Sequence, residues 1–138
     1  QSAIGSKALE MTNYEINQIL VNWLKTMPQA PPIQEENKPE SQAVAGAKLY
    51  LVEYFMPTNN EQSDFCGSEE KTGLYQVTVV SEREIGRKKA QQMADSIVSR
   101  FKYSDLSGLV ITRAVAAASL TTDLHYQIPI SIYYTYMG

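Results

Sequence analysis

The sequence predicts an α+β domain in which a mostly antiparallel, four-stranded sheet packs against two helices in the order α-β-β-α-β-β. Three observations lead to this prediction. The chain has 138 residues, which is the size of one ordinary domain. Hydrophobic residues make up 43% and charged residues 20%, as in globular proteins. Two segments repeat apolar residues at helical spacing, and four segments with the composition of strands form one pair on each side of the second helix.

The first helix is predicted to follow Met11. Thr12 and Glu15 have the spacing of a capping box, in which the hydroxyl and the carboxylate satisfy free backbone donors. Pro28 should end this helix because proline cannot continue it. One face of the helix carries apolar residues three or four positions apart, namely Ile16, Ile19, Leu20, Trp23, Leu24 and Met27.

The next segment, residues 29–42, is predicted to be an extended surface arm. It contains Pro31, Pro32 and Pro39 together with several acids, which disfavour both a helix and an interior strand. A short strand is expected near residues 33–35.

A pair of strands joined by a long loop follows the arm. Residues 47–56 are apolar at almost every position, as in an interior strand, and residues 74–80 form the second strand. The loop between them, residues 58–72, is polar and acidic. Its length of about fifteen residues is more typical of functional or disordered loops than of simple connections.

The second helix is predicted to begin at a capping box formed by Ser81 and Glu84, and to end near Phe101. Its apolar face is formed by Ile85, Ala90, Met93, Ala94, Ile97, Val98 and Phe101. The other face is predicted to be solvated, and it carries six of the 12 basic residues: Arg83, Arg87, Lys88, Lys89, Arg100 and Lys102.

The last two predicted strands cover residues 109–115 and 124–137. Pro129 interrupts the second of them, which predicts a bulge or an edge position because proline has no backbone N–H. Aromatic rings alternate to both faces of this strand, at Tyr126, Tyr133, Tyr134 and Tyr136, and Met137 follows them. One set should lie in the core. The other set is either covered by the first helix or the arm, or exposed as a partner surface.

Charge and hydropathy exclude several classes of protein. The net charge of -3 argues against nonspecific binding to duplex DNA through phosphate neutralisation. No apolar run approaches the ~20 residues of a membrane span, and no secretory signal is recognisable, so a soluble cytoplasmic chain is expected. Residues 1–10 begin Gln-Ser, as the remnant of a cleavable tag would, which leaves residues 11–138 as one domain with Met11 as the native start.

Candidates for catalysis and metal binding are few. Cys66 cannot form an intrachain disulfide because it is the single cysteine, and a thiol nucleophile with His125 as its base would define a small cysteine hydrolase. One histidine makes a zinc site improbable. Glu35 with Glu36, and Glu69 with Glu70, lack the spacing of a cation loop, and isolated glycines form no phosphate loop. We therefore predict no catalytic residue, no metal ligand and no cofactor.

The uneven distribution of charge suggests a contact between copies of the chain. The acidic loop at residues 58–72 could reach the basic face of the second helix of a neighbour, at Lys88 and Lys89. Contacts of this head-to-tail kind close into rings.

Six segments, taken in order, resemble the tail terminator proteins of long, non-contractile-tailed bacteriophages, the family of the lambda-type terminator. The resemblance covers residues 11–138. Its segments are MTNYEINQILVNWL, PPIQEENKP, KLYLVEYFMP, KTGLYQVTVV, KKAQQMADSIVSRF and YQIPISIYYTY.

The resemblance implies a structural protein of the virion tail, without catalysis, assembled in the cytoplasm of the host bacterium. Such proteins form a ring, typically hexameric, on the end of the tail tube, stop its polymerisation and offer a surface for attachment of the head. The implied partners are further copies of the chain, the tail tube protein and the head-tail connector, with no membrane and no specific nucleic acid. A different head-tail connection or tail-completion protein is the alternative.

Overall fold

The computed structural model describes residues 12–35, 39–40, 42–58, 70–83 and 87–137. Three helices are present in these ranges: α1 (Asn13–Lys25), α2 (Gln42–Ala45) and α3 (Arg87–Phe101). The strands are β1 (Ile33–Gln34), β2 (Leu49–Pro57), β3 (Glu70–Glu82), β4 (Asp105–Leu106), β5 (Leu109–Ala116), β6 (Leu120–Thr121) and β7 (His125–Met137).

All seven strands belong to one mixed sheet in the order β1-β2-β3-β7-β5-β4, and β6 pairs with β7 beyond the end of β5. The four long strands β2, β3, β7 and β5 pair with one another in antiparallel orientation. The short strand β1 is parallel to β2, with Ile33 opposite Leu51. The predicted architecture of a four-stranded, mostly antiparallel sheet with two helices is therefore wrong. The described residues form a seven-stranded mixed sheet and three helices.

The missed elements are short. The two-residue strands β4 and β6 and the four-residue helix α2 each span only about one hydrophobic period, so no pattern repeats within them. The short strand expected near residues 33–35 is confirmed as β1. The segment that contains it is fixed by an ion pair between Lys25 Nζ and Glu35 Oε2 at 3.0 Å.

The predicted start of α1 is confirmed. The Thr12 hydroxyl accepts a hydrogen bond from the Glu15 backbone N–H at 3.1 Å, and a Glu15 carboxylate oxygen accepts from the Thr12 N–H at 2.9 Å. The helix ends at Lys25, three residues before Pro28, and the Thr26 hydroxyl donates to the Asn22 carbonyl in its last turn.

The predicted start of the second helix is wrong. Ser81 is a buried residue of β3, paired with Leu49 on one side and Tyr126 on the other, and α3 begins only at Arg87. Glu84 lies outside the described residues. Ser81 continues the alternation of Tyr75, Val77 and Val79 on one face of β3, so two strand neighbours provide more contact than a helix cap would.

Pro129 lies in the interior of the sheet, where β7 pairs with β3 along its whole length, and thus not at an edge. The Pro129 carbonyl accepts a hydrogen bond from the Ala117 N–H at 2.7 Å, on the side where β5 has ended and β6 has not begun. The N–H and C=O of one residue point to the same side of a strand. The N–H that proline lacks would therefore point into the gap between β5 and β6, where no strand pairs with β7. The irregularity of the ladder is instead in β5, between Ile111 and Arg113.

The core lies between one face of the sheet and the helices α1 and α3. Tyr75, Val77 and Val79 of β3 stand opposite Ile132, Ile130 and Ile128 of β7, and all six are buried. The helices add the following buried side chains: Ile16, Leu20, Leu24, Ala90, Ala94, Ile97 and Phe101. Glu53 of β2 faces this same core and is only 2% exposed.

The two helices are joined by Trp23 and Arg100. The Trp23 indole N–H donates to the Arg100 carbonyl at 3.0 Å, and Arg100 Nε donates to the Trp23 carbonyl at 2.7 Å. A terminal nitrogen of Arg100 donates to the Thr26 hydroxyl at 2.8 Å, and its guanidinium lies 3.9 Å from the centre of the Trp23 ring. Arg100 therefore differs from the prediction of a solvated basic face.

We expect Gly73→Ala to lower the free energy of unfolding by about 1–3 kcal/mol, as overpacking of a dense region does. A Cβ at this position would overlap the Tyr134 hydroxyl and would lie 2.8 Å from the Pro57 Cα atom. Urea unfolding would measure the effect. Gly46→Ala is the matched control, since its Cβ would meet only the Gln42 carbonyl at 3.5 Å, and equal stability of the two variants would contradict this interpretation.

Candidate assembly surfaces

The face of the sheet opposite α1 and α3 carries large apolar side chains that remain accessible. Tyr54 is 48% exposed and Tyr133 is 39% exposed, and Val110 and Val115 of β5 are also exposed. We call this side of β2, β3, β7 and β5 the open face. Its members include Tyr54, Met56, Leu74, Val110, Val115 and Tyr133.

Strand register places these side chains in adjacent rows. Met56, Leu74 and Tyr133 form one row across β2, β3 and β7, and Tyr54, Gln76 and Ser131 form the next. The Arg113 guanidinium lies 5.8 Å from the centre of the Tyr133 ring, at the β5 side. An apolar strip with a polar rim is typical of a surface that binds another protein.

The structure separates the tyrosines of the last strand as the alternation predicted. Tyr126, Tyr134 and Tyr136 are buried in the core, where Tyr134 stacks on Phe55 with ring centres 5.8 Å apart. Burial raises the pKa of Tyr134 to about 12. Tyr133 points to the open face, and α1 does not cover it because α1 packs on the opposite side. The side chain of Met137 lies outside the described residues.

A second surface consists of four exposed cations at the opposite end of β3 from Glu70. We call Arg83, Arg87, Lys88 and Lys89 the basic patch. None of the four forms an ion pair with a residue in the described ranges. A terminal nitrogen of Arg83 lies 3.5 Å from the Asp123 carbonyl oxygen, which makes at most a weak hydrogen bond.

A cavity of about 360 Å³ opens beside the basic patch. Arg83, Arg87, Thr121 and Tyr126 line it. Two guanidinium groups at one opening are suited to bind carboxylates, because the planar fork of donors matches the two oxygens.

Of the two residues considered for catalysis, the structure describes His125. Cys66 lies outside the described residues. His125 is half-buried at the start of β7, opposite Glu82, and its backbone N–H donates to the Thr122 hydroxyl at 3.0 Å. A nucleophile with its base is therefore not shown.

Of the residues considered for metal binding, Glu35 has a described side chain. Glu35 forms the ion pair with Lys25, whereas Glu36, Glu69 and the side chain of Glu70 lie outside the described residues. Across the described ranges, no three His, Cys, Asp or Glu side chains come together as metal ligands would. Within the same ranges, no helix has the length and apolar character needed to cross a membrane.

The basic patch is visible in the sequence, whereas the composition of the open face is not. Tyr54 and Val115 lie in strands that were predicted, yet their grouping with Tyr133 depends on register. The alternation of side chains along β2 does indicate that Tyr54 points away from the core, because it follows a residue of the core face.

Comparisons with known proteins identify relatives of this fold. A family described as phage tail terminator protein matches residues 15–134. A solved structure aligns with a TM-score of 0.64 and 27% sequence identity, over 87% of this chain and 89% of the other. No curated protein matches the sequence.

Proposed function

This chain belongs to the phage tail terminator family, and we propose that it forms a ring on the finished end of a tail tube and stops further polymerisation of the tube. The family membership makes it a component of the virion tail with a role in tail completion. The hexameric state, the stop of tube growth and the attachment of the head are the parts that we propose.

The open face supports this proposal. A protein that binds the end of a growing tube needs a surface for contact with other proteins. Tyr54, Leu74 and Tyr133 form an apolar strip that is suited to such a contact. Copies of the chain, the tail tube protein and the head-tail connector are the proposed partners. Assembly takes place in the host cytoplasm.

We further propose that the chain acts without catalysis. In this role the protein exposes surfaces that hold two assemblies together, and no bond of a substrate is made or broken. The side chains of the open face and the basic patch serve contact and charge, and His125 serves the turn at the start of β7.

Tube growth in the presence of the chain tests the proposed function. Purified tail tube protein would be polymerised with and without this protein, and tube lengths would be measured by electron microscopy. We expect growth to stop when the chain is added at one ring per tube end. The double variant Tyr54→Ser, Tyr133→Ser should allow growth to continue, while Tyr103→Ser serves as control because Tyr103 is 78% exposed and lies outside the open face.

Unchanged tube length with the wild-type chain would contradict termination. It would instead favour a different head-tail connection protein, which binds the completed tail without limiting it.

A further inference from the structure

The hairpin of β6 and β7, next to the basic patch, exposes two leucines. The Thr122 N–H donates to the His125 carbonyl at 2.8 Å and closes the turn, so Asp123 and Leu124 are its two central residues. Leu124 is 72% exposed, and Leu120 of β6 is 56% exposed. This hairpin thus presents two large apolar side chains to solvent.

The turn itself does not account for Leu124. Two-residue hairpin turns favour Gly, Asn and Asp at their central positions, because these residues suit the backbone of the turn. A leucine there gives the turn no advantage, and with most of its surface exposed it contributes little to the core. Contact with another protein would bury this side chain and account for its presence.

A backbone hydrogen bond fixes the turn against the basic patch. The Arg83 N–H donates to the Leu124 carbonyl at 3.3 Å, and Thr121 of β6 lines the same cavity as Arg83 and Arg87. The relative positions of these groups are set before binding, so little conformational freedom is lost on contact. We call this surface the basic end, and its members are Arg83, Arg87, Lys88, Lys89, Leu120 and Leu124.

Three cations of the basic end lie where they destabilise their own helix. Arg87, Lys88 and Lys89 occupy the first turn of α3, and this turn contains no acid. The positive end of the helix macrodipole lies there, and it favours anions over cations. The stability of α3 therefore does not account for these residues, whereas contact with a negatively charged partner would.

The basic end is separate from the open face. Tyr133 of the open face lies eight residues along β7 from His125, the neighbour of Leu124, which is about 26 Å at the rise of an extended strand. The open face has an apolar strip, whereas the basic end combines four cations with two leucines. Distance and chemistry both indicate that the two surfaces bind different partners.

We propose that the basic end is the surface through which the chain binds the head-tail connector, and that the matching surface of the connector carries carboxylates beside apolar side chains. This inference rests on the proposed function, in which the tail tube occupies the open face. A protein between tail and head needs a second contact that stays accessible after the first has formed. Carboxylates would bind Arg83 and Arg87 at the cavity, because a guanidinium donates to both oxygens of a carboxylate.

Two other occupants match the basic end less well. Within the described ranges, a second copy of the chain offers no cluster of three acidic side chains that could face the four cations. Duplex DNA matches the cations but not the leucines, and the net charge of -3 on the chain opposes a polyanion. An acidic protein surface with apolar side chains matches both parts of the basic end.

Titration with purified head-tail connector tests the proposal. The connector would be added to the fluorescently labelled full chain at about 50 and 300 mM NaCl, because screening by salt weakens contacts between opposite charges. We expect the affinity of the wild type to fall as the salt concentration rises. The variant Lys88→Glu, Lys89→Glu should bind about tenfold more weakly than the wild type at the lower salt concentration and should depend less on salt.

Unfolding would not explain a loss of binding in this charge variant. Acids in the first turn of α3 complement the macrodipole, so the double substitution should make α3 more stable. Lys102→Glu is the matched control, since Lys102 is exposed beyond the other end of α3, and it should bind the connector as the wild type does.

Leu124→Ser tests the apolar part of the basic end. We expect it to lower the affinity for the connector about fivefold at both salt concentrations, because the contact of a leucine does not depend on charge. Tyr103→Ser is the control, since Tyr103 is 78% exposed and lies outside the basic end.

Several results would overturn the proposal. One is equal affinity of the wild type and the variant Lys88→Glu, Lys89→Glu for the connector, and another is a wild-type chain that does not bind the connector at all. Tighter binding of a short DNA duplex than of the connector, lost in the same variant, would assign the basic end to nucleic acid. Normal binding of the connector by a charge variant that no longer self-assembles would assign it to a contact between copies.

Tube growth separates this inference from the proposed function. The variant Lys88→Glu, Lys89→Glu should still stop tube growth, and the variant Tyr54→Ser, Tyr133→Ser should still bind the connector. Loss of termination in the charge variant would overturn the inference and leave termination by the wild type intact. A wild-type chain that binds the connector through the basic end without limiting tube length would contradict termination and leave this contact intact.

Discussion

Arg100→Ala should lower the free energy of unfolding by about 2–4 kcal/mol, because it removes two hydrogen bonds of a charged donor and a cation–π contact that connect α3 to α1. The partners lost are the Trp23 carbonyl, the Thr26 hydroxyl and the Trp23 ring. Urea unfolding followed by tryptophan fluorescence measures the loss, and the signal is unambiguous because Trp23 is the single tryptophan.

Two further variants separate geometry from charge. Arg100→Lys keeps the positive charge but not the planar fork, so we expect it to recover less than half of the loss. Lys102→Ala changes an exposed residue of the same region and should alter stability by less than about 0.5 kcal/mol. A loss below about 0.5 kcal/mol for Arg100→Ala would show that the helices are held together by the apolar core alone.

Stability should fall steeply above pH 10, and Tyr75→Phe should reduce this fall. Burial, with the nearby Glu53 carboxylate as a second cause, raises the pKa of Tyr75 far above its ordinary value of 10.0. Because the pKa of this phenol is higher in the folded than in the unfolded state, its contribution to the free energy of unfolding is complete below pH 10. That contribution is lost as the pH rises towards the folded pKa. The slope is about 1.4 kcal/mol per pH unit for one such group.

The expected difference between wild type and Tyr75→Phe in this loss is therefore about 2 kcal/mol between pH 10 and 11.5. Urea unfolding at pH 8, 10 and 11.5 would measure it, with each protein compared with itself at pH 8. The pKa of Tyr134 is also raised, to about 12, so this residue lowers the free energy of unfolding above pH 10 as well. It does so equally in the wild type and in Tyr75→Phe, and the comparison between them is unaffected. Tyr103→Phe is the exposed control, and an identical pH dependence of Tyr75→Phe and wild type would contradict the assigned burial.

Much of the fold could be predicted because the long elements carry full hydrophobic periods. The face of α1 and its capping box are confirmed, and all four predicted strands are present. However, β3 runs from Glu70 to Glu82, so it extends into the predicted loop and past the predicted end at residue 80. The short strands β4 and β6 could not be predicted, because two residues are too few to show a repeated alternation. Ser81 was misassigned for a different reason: the spacing of a capping box is local, whereas the pairing of β3 with Tyr126 and Leu49 depends on distant residues.

The candidate surfaces were predictable to different degrees. Charge is visible in the sequence, so Lys88 and Lys89 were recognised, and the family resemblance is confirmed by the match over residues 15–134. The role of Arg100 was not recognised, because its hydrogen bond to the Trp23 carbonyl joins two helices through residues that lie 77 positions apart in the sequence. The open face required the register of three strand pairs.

The absolute mass of the assembled protein would show whether copies of this chain close into a ring, as we propose. Light scattering after gel filtration would be recorded over rising protein concentration, with and without magnesium. We expect a limiting mass of about 93 kDa, six times the 15.5 kDa of one chain, which is approached as concentration rises. A mass that stays at 15.5 kDa at every concentration would contradict a ring that forms before it meets the tail.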